Sequence, residues 1–447
     1  MAQPEVPDAT RYANRLLEDL GAARRLDARP QAHPALRWSQ CGGLALTGDP
    51  ETAPQMLPIP LASIADGIIA ALDMLQPGSP LGRLDGARLL TERAALAGYR
   101  RGGPVSAGGS CRLLPAADAW LALNLPRASD WQLLPAWLEA GPLSDWTAVA
   151  AALAARAVTP CVERGRLLGL AVAPLEPAPR PAGRWCEELQ RGPGAPGAPA
   201  AAPLVVDLSS LWAGPLCTHL LQLLGARVIK VESSRRPDGM REDRTGFYDL
   251  LNAGKASVAL DFGLAAGRQA LRDLLLRADI VVEASRPRAL RQLGIRAEDM
   301  LAQNPRLTWV AISGYGREEP GANWVAFGDD GAVAGGLSQV LWRCTGQAMF
   351  CADAIADPLT GLHAALAAWC THAQGGGRLL SFALSQVVAH CIGFAAAADP
   401  ADYRARAAEW SRCVGGAEIG APRAREPLGQ AHALGADTAQ VLAALRP

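Results

Sequence analysis

At 447 residues the chain is longer than one small hydrophobic core can organise, and two or three domains are expected. Half of the residues are hydrophobic, which excludes wholesale disorder. Lys plus Arg equal Asp plus Glu at 43 each, so no net field draws the chain to nucleic acid or to an anionic membrane.

The first twenty residues lack a basic stretch followed by an apolar one, so no leader is expected, and no run of about 18 apolar residues predicts a membrane span. Ten cysteines are scattered from Cys41 to Cys413, with no CxxC pair and no zinc-ligand spacing. They read as reduced thiols of a cytoplasmic protein that holds no metal.

In chain order, residues 1–30 read as an N-terminal helical segment. The region 31–175 follows, and its Trp-rich part from about 105 to 175 predicts a small α+β domain. It begins with three strings that recur much later. Cys41-Gly42-Gly43-Leu44, Ala65-Asp66-Gly67 and Gly86-Ala87-Arg88-Leu89-Leu90 return as Ala334-Gly335-Gly336-Leu337, Ala356-Asp357-Pro358 and Gly376-Gly377-Arg378-Leu379-Leu380. From the second glycine to the Asp the interval is 23 residues in the first copy and 21 in the second. Pro, Ala and Gly are dense over 176–202, resist helix and sheet alike, and predict a semi-stiff linker.

Beyond the linker the pattern alternates. Strands are predicted at 204–208, 227–232, 279–283 and 307–313, and helices at 216–224 and 264–277, with Gly225 just past the end of the first. Such alternation predicts an α/β fold, with a mostly parallel, Rossmann-like sheet over 203–390. The turn after the first strand reads Ser209-Ser210-Leu211-Trp212-Ala213-Gly214-Pro215, not G-x-G-x-x-G. A dinucleotide-dependent oxidoreductase is therefore disfavoured, although Glu232 stands where a ribose-binding acid would. No G-x-S-x-G supports a serine hydrolase.

Asp357 is the leading candidate for chemistry. Followed by Pro358 and an Ala-rich run, it carries the signature of a helix N-cap with proline at the first helical position. The same carboxylate is able to act as a nucleophile. Asp66 reads as a cap or a relic of the repeat. Asp329 and Asp330, adjacent acids in a loop, read as turn and cap residues.

The string from Val205 to Glu232 resembles the opening of the family III CoA-transferases, which include formyl-CoA transferase, carnitine CoA-transferase and α-methylacyl-CoA racemase. The likeness continues through Asn252-Ala253-Gly254-Lys255, Ala278 to Glu283, Arg286-Pro287, Asn304 to Leu307 and Ile312 to Gly316. Ala356-Asp357-Pro358-Leu359-Thr360-Gly361 is similar to the family's A-D-x-x-x-G signature, and Leu428 to Leu445 resembles its C-terminal end, so 391–447 is expected to return to the large domain. The segment from Arg112 to Val172 resembles the family's small domain, which normally follows the catalytic segment and here precedes it.

The resemblance implies a family III CoA-transferase fold and an intertwined homodimer. The internal repeat offers a monomer as the rival. It also implies transfer of CoA between an acyl-CoA and a carboxylic acid through an anhydride on Asp357, with coenzyme A as substrate and no permanently bound cofactor. Lys230, Arg241, Asn252, Lys255 and Arg286 are the implied CoA-phosphate ligands. The racemase branch carries a catalytic His where Phe327 to Asp330 stand here, which disfavours racemisation. A non-catalytic CoA-binding member is the remaining alternative.

Overall fold

The computed structural model describes residues 8–177, 183–194, 202–396 and 399–445. Among the described residues ten strands form two sheets: β1 Cys111–Pro115, β2 Trp120–Asn124, β3 Ala171–Pro174, β4 Glu187–Arg191, β5 Leu204–Leu208, β6 Arg227–Ser233, β7 Ala256–Leu260, β8 Ile280–Glu283, β9 Thr308–Ser313 and β10 Arg378–Ala383. The larger sheet has the order β4-β10-β9-β8-β5-β6-β7, parallel throughout except for β4. Its central strands are buried along most of their length because helices cover both faces. The α/β fold expected from the alternating pattern is present, and the predicted strands match to within a residue.

Val206, Ile229, Val281 and Trp309 point to one face, against the helices Ala265–Arg277 and Ala297–Gln303. Val205, Val228, Ile280, Val310 and Phe382 point to the other, which holds the largest core. There the helices Ala213–Leu223 and Ala356–Ala373 pack on the sheet, and helices from residues 8–97 pack on them in turn. In the helix Asp8–Asp19, Ala9, Tyr12, Ala13, Leu16 and Leu17 recur at helical spacing and are all buried, mostly against the helix Leu61–Leu75. The first hundred residues thus share a core with the large sheet.

The smaller sheet is antiparallel, in the order β1-β2-β3. Leu121, Leu123 and Val172 face the helices Leu134–Leu138, Trp146–Leu153 and Val158–Leu168. Leu113, Ala122 and Ala173 face the other way, onto Val333 and Phe350. That second contact brings the end of β2 against the short helix Gly328–Ala334.

β4 lies inside the Pro/Ala/Gly-rich stretch, where neither helix nor strand was expected. Proline is concentrated on either side of it, and residues 183–191 contain none. Charged and half-exposed, β4 suits an edge position, where it pairs with β10. The opposite edge, β7, is covered by the C-terminal segment: Ser257 donates its N–H to Asp437 at 2.7 Å and Ala259 to Thr438 Oγ1 at 3.0 Å.

Candidate active site

In this strand order the chain leaves β5 toward β6 and β7, then crosses back to β8 on the other side. The carboxyl ends of β5 and β8 therefore flank a topological switch point, where open α/β sheets form their ligand crevice. The turn after β5 is held in an unusual shape. Leu211 has φ 68°, and its N–H donates to the Asp238 carboxylate at 3.2 and 3.3 Å. Asp238 in turn receives Lys230 Nζ at 3.1 Å, and Lys230 also donates to the carbonyl of Ser209 at 3.0 Å.

This places the residues implied at the phosphates. Lys230 is buried beneath the turn. Lys255 is also buried, and donates to Thr218 Oγ1 at 2.7 Å, to Pro215 O and Asn252 Oδ1 at 3.0 Å, and to Asp207 at 3.1 Å. Burial lowers Lys255 to about 8, against the pull of Asp207. Burial would raise Asp207, but the charges of Lys255 and Lys230 hold it well below the usual carboxylate range. Asn252 is enclosed with them. Arg241 forks Glu232 and reaches the carbonyl of His432 at 3.1 Å, so Glu232 is already engaged where a ribose-binding acid was conceivable. Arg286, just beyond the carboxyl end of β8, is exposed and makes no side-chain hydrogen bond or ion pair among the described residues. Its pKa is lowered by partial burial and by Arg288, Arg127 and Arg236, so guanidinium groups from three segments gather near the switch point.

Asp357 lies in the first turn of the helix Ala356–Ala373 and does not cap it. The helix starts one residue earlier, at an N-cap formed by Ile355, and Pro358 then falls where no intrahelical N–H bond is made. Next to it, Asp353 stands between Ala352 and Ala354, with φ of 52° and 41°, left-handed positions that cost about 1 kcal/mol or more each for residues with a β-carbon. The helix Gly328–Ala334 presses against this turn. A β-carbon on Gly328 would lie 2.2 Å from the Ala354 carbonyl oxygen and 2.5 Å from Asp357 Oδ2, so only glycine fits beneath the carboxyl.

Three further carboxyls and one guanidinium surround Asp357. Asp329 accepts the Ala354 N–H at 2.8 Å. Asp330 accepts the N–H of Phe327 at 3.0 Å, as a cap, and Nδ2 of Asn124 from β2 at 2.9 Å. Asp353 is forked by Arg93, whose guanidinium also lies 5.4 Å from the Trp212 ring and 5.7 Å from Tyr99. Burial pushes Asp357 up to about 7; Arg93 opposes this, and Asp329, Asp330 and Asp353 add to it. Burial likewise raises Asp329 to about 6, aided by Asp353, and Asp330 to about 7. Asp357 makes no side-chain hydrogen bond among the described residues, and part of its surface stays open. The loop reading of Asp329 and Asp330 caught the cap but not this enclosure. Arg93, Asp353 and Asn124 had no signal in the sequence, because only folding brings them together.

The acid pocket and the switch point adjoin. A β-carbon on Gly361 would lie 2.6 Å from the Ala213 carbonyl oxygen, so the glycine of the A-D-x-x-x-G signature lets the Asp357 helix cross the helix that follows the β5 turn.

The same crossing resets the internal repeat. In the first copy Gly67 closes on the Ala9 carbonyl oxygen, where a β-carbon would come within 2.3 Å. Gly42 and Gly336, both left-handed, follow seven-residue helices, Pro34–Gln40 and Gly328–Ala334. The interval from Gly42 to Gly67 equals that from Gly336 to Gly361, 25 residues in each. This register sets Ser63, not Asp66, opposite Asp357. Asp66 lies a turn further on, forked by Arg37 at 2.7 and 2.8 Å and accepting the Ala87 N–H at 2.9 Å.

Among the described residues no helix is long and apolar enough to cross a membrane, and no group of His, Cys, Asp and Glu is placed to hold a metal ion.

Residues 203–422 match the model of CoA-transferase family III. The chain is similar to the succinyl-CoA–D-citramalate CoA-transferase of Chloroflexus aurantiacus, 34% identical over 30% of this chain and 36% of the relative. It is also similar to the formyl-CoA:oxalate CoA-transferase of Escherichia coli, 31% identical over 36% of this chain and 40% of the relative. The match thus spans about two-fifths of these relatives' length. A crystal structure of a hypothetical protein from Mycobacterium tuberculosis is similar at 26% identity and a TM-score of 0.40, covering 44% of this chain and 57% of that one.

Proposed function

We propose that the protein transfers CoA from an acyl-CoA to a carboxylic acid, with Asp357 as the nucleophile. The observation that carries this reading is the state of Asp357: unbonded at its side chain, partly open, raised to about 7, and beside the switch-point crevice. A carboxylate with a raised pKa is more basic, and so more nucleophilic, once ionised, and near pH 7 a large share of it is ionised. Attack on the thioester carbonyl expels CoA as a thiolate and leaves a mixed anhydride on Asp357. Return of the thiolate to the aspartyl carbonyl frees the donor acid. The acceptor carboxylate then takes the same route in reverse. The names of the similar relatives, which act on succinyl-CoA and formyl-CoA, support small acyl-CoA and carboxylate substrates.

Arg286, with Arg236 and Arg288 nearby, is proposed to meet the CoA phosphates. Of the five residues implied there it is the one whose side chain is free of partners among the described residues. The test is intact-protein mass spectrometry after incubation with a panel of acyl-CoAs and trapping with hydroxylamine. A hydroxamate on Asp357 is expected; no adduct from any donor would overturn the reading.

A further inference from the structure

We propose that Arg93 is a second catalytic residue, which receives the acyl oxygen that becomes negative when Asp357 attacks; this rests on the reading of Asp357 as nucleophile. As an Asp357 oxygen bonds to the thioester carbon, the carbonyl π pair moves onto oxygen. When that pair returns, the C–S bond breaks and the sulfur leaves as thiolate. No proton is needed, so the oxyanion must be stabilised by a fixed positive group.

The charged groups acting on Asp357 are Arg93, Asp329, Asp330 and Asp353. Three are carboxyls that would repel an oxyanion, which leaves Arg93. Its placement suits the task. Nε and Nη2 are spent on Asp353, at 2.8 and 2.5 Å, which fixes one edge of the planar guanidinium. Nη1, on the other side, makes no hydrogen bond among the described residues, and the side chain keeps 23% of its surface open. Arg93 acts electrostatically on Asp357 yet forms no ion pair or hydrogen bond with it, so its charge is not spent on that carboxylate. The arginine comes from the helix Glu92–Ala97, outside the range that matches the family model, so the first half of the chain would complete the chemistry of the second.

The test compares the wild type with Arg93→Lys and Arg93→Ala, reading hydroxylamine-trapped adduct at Asp357, CoA binding by calorimetry, and melting temperature. Lysine keeps a charge beside Asp353 but cannot hold that carboxylate in a fork and reach the substrate together. Arg93→Lys is expected to form adduct about 10²–10³-fold more slowly with CoA affinity unchanged. Methylguanidinium added to Arg93→Ala is expected to restore part of the rate, a response that a purely structural role would not give. Adduct formation by Arg93→Lys at the wild-type rate overturns the role of Arg93 alone. A slow Arg93→Lys whose loss follows CoA affinity or melting temperature overturns it as well. A wild type that forms no adduct with any donor overturns Arg93 and Asp357 together.

Discussion

Arg93 grips Asp353, 260 residues further along the chain, through a two-pronged ion pair that is buried on the carboxylate side. Removing the acid takes away the one carboxylate that ion-pairs with Arg93 among the described residues. Asp353→Ala is therefore expected to cost about 2–4 kcal/mol in urea unfolding. Asp353→Asn, which keeps the shape, should cost less and should let Arg93 swing onto Asp357, seen as a lower midpoint for the pH dependence of activity.

Asp357→Asn is expected to abolish transfer and leave CoA affinity and the fold intact, because the amide preserves volume but forms no anhydride. The comparison variant Asp66→Asn should do the opposite. It loses part of the contact with Arg37 and the Ala87 N–H, lowers stability by about 1 kcal/mol, and leaves turnover unchanged. Turnover at the wild-type level in Asp357→Asn would exclude the nucleophile.

Activity and stability should respond to pH in opposite senses. With Asp357 as the proposed nucleophile, the rate is expected to rise with pH with an apparent midpoint near 7, belonging to the cluster as a whole. Asp329, Asp330 and Asp357 all bind protons more tightly folded than unfolded, where their value is about 4. Their stabilising contribution is complete below about pH 4 and disappears as pH rises through 6 to 7. Melting temperature should fall across that window. Asp330→Asn, neutral at every pH, should flatten part of the fall and raise the melting temperature by about 2 °C at pH 8.

Lys255 and Arg286, both implied in phosphate binding, are expected to separate. Lys255→Met should cost about 3–5 kcal/mol, because it leaves Asp207 buried without its nearest cation. Arg286→Ala should leave the melting temperature unchanged and raise the Kd for CoA about tenfold, the equivalent of about 1.4 kcal/mol. Calorimetry beside thermal unfolding distinguishes the two.

Sedimentation equilibrium decides between the intertwined homodimer implied by the resemblance and a monomer. A mass of 46.7 kDa that does not change with concentration would favour the monomer.

The large sheet was legible because its strands are buried on both faces, so Val205-Val206 and Ile280-Val281-Val282 stand out as apolar runs bounded by turns. Asp357 was legible through a local string. What escaped was set by packing. Lys230 and Lys255 are implied as phosphate ligands, yet their ammonium groups are held by Ser209, Asp238, Asp207 and Asn252, contacts that exist only once the strands are ordered. The repeat was visible, but a register taken from matching letters paired Asp66 with Asp357. The backbone contacts of Gly67 and Gly361 give the physical register, and no local pattern announces those.

On one face of the large sheet, the helices Ala213–Leu223 and Ala356–Ala373 are covered in turn by helices from residues 8–97, and β10 is bordered by β4. The range that matches the family model thus shares its largest core, which includes Leu216, Leu220, Leu359 and Leu366, with those earlier residues. Expressed by itself it would present a broad oily surface and an open strand edge, a recipe for inclusion bodies. Supplied as two separate polypeptides in one cell, the halves have the complementary surfaces needed to find each other, and rescue of the insoluble piece by its companion would make the dependence visible.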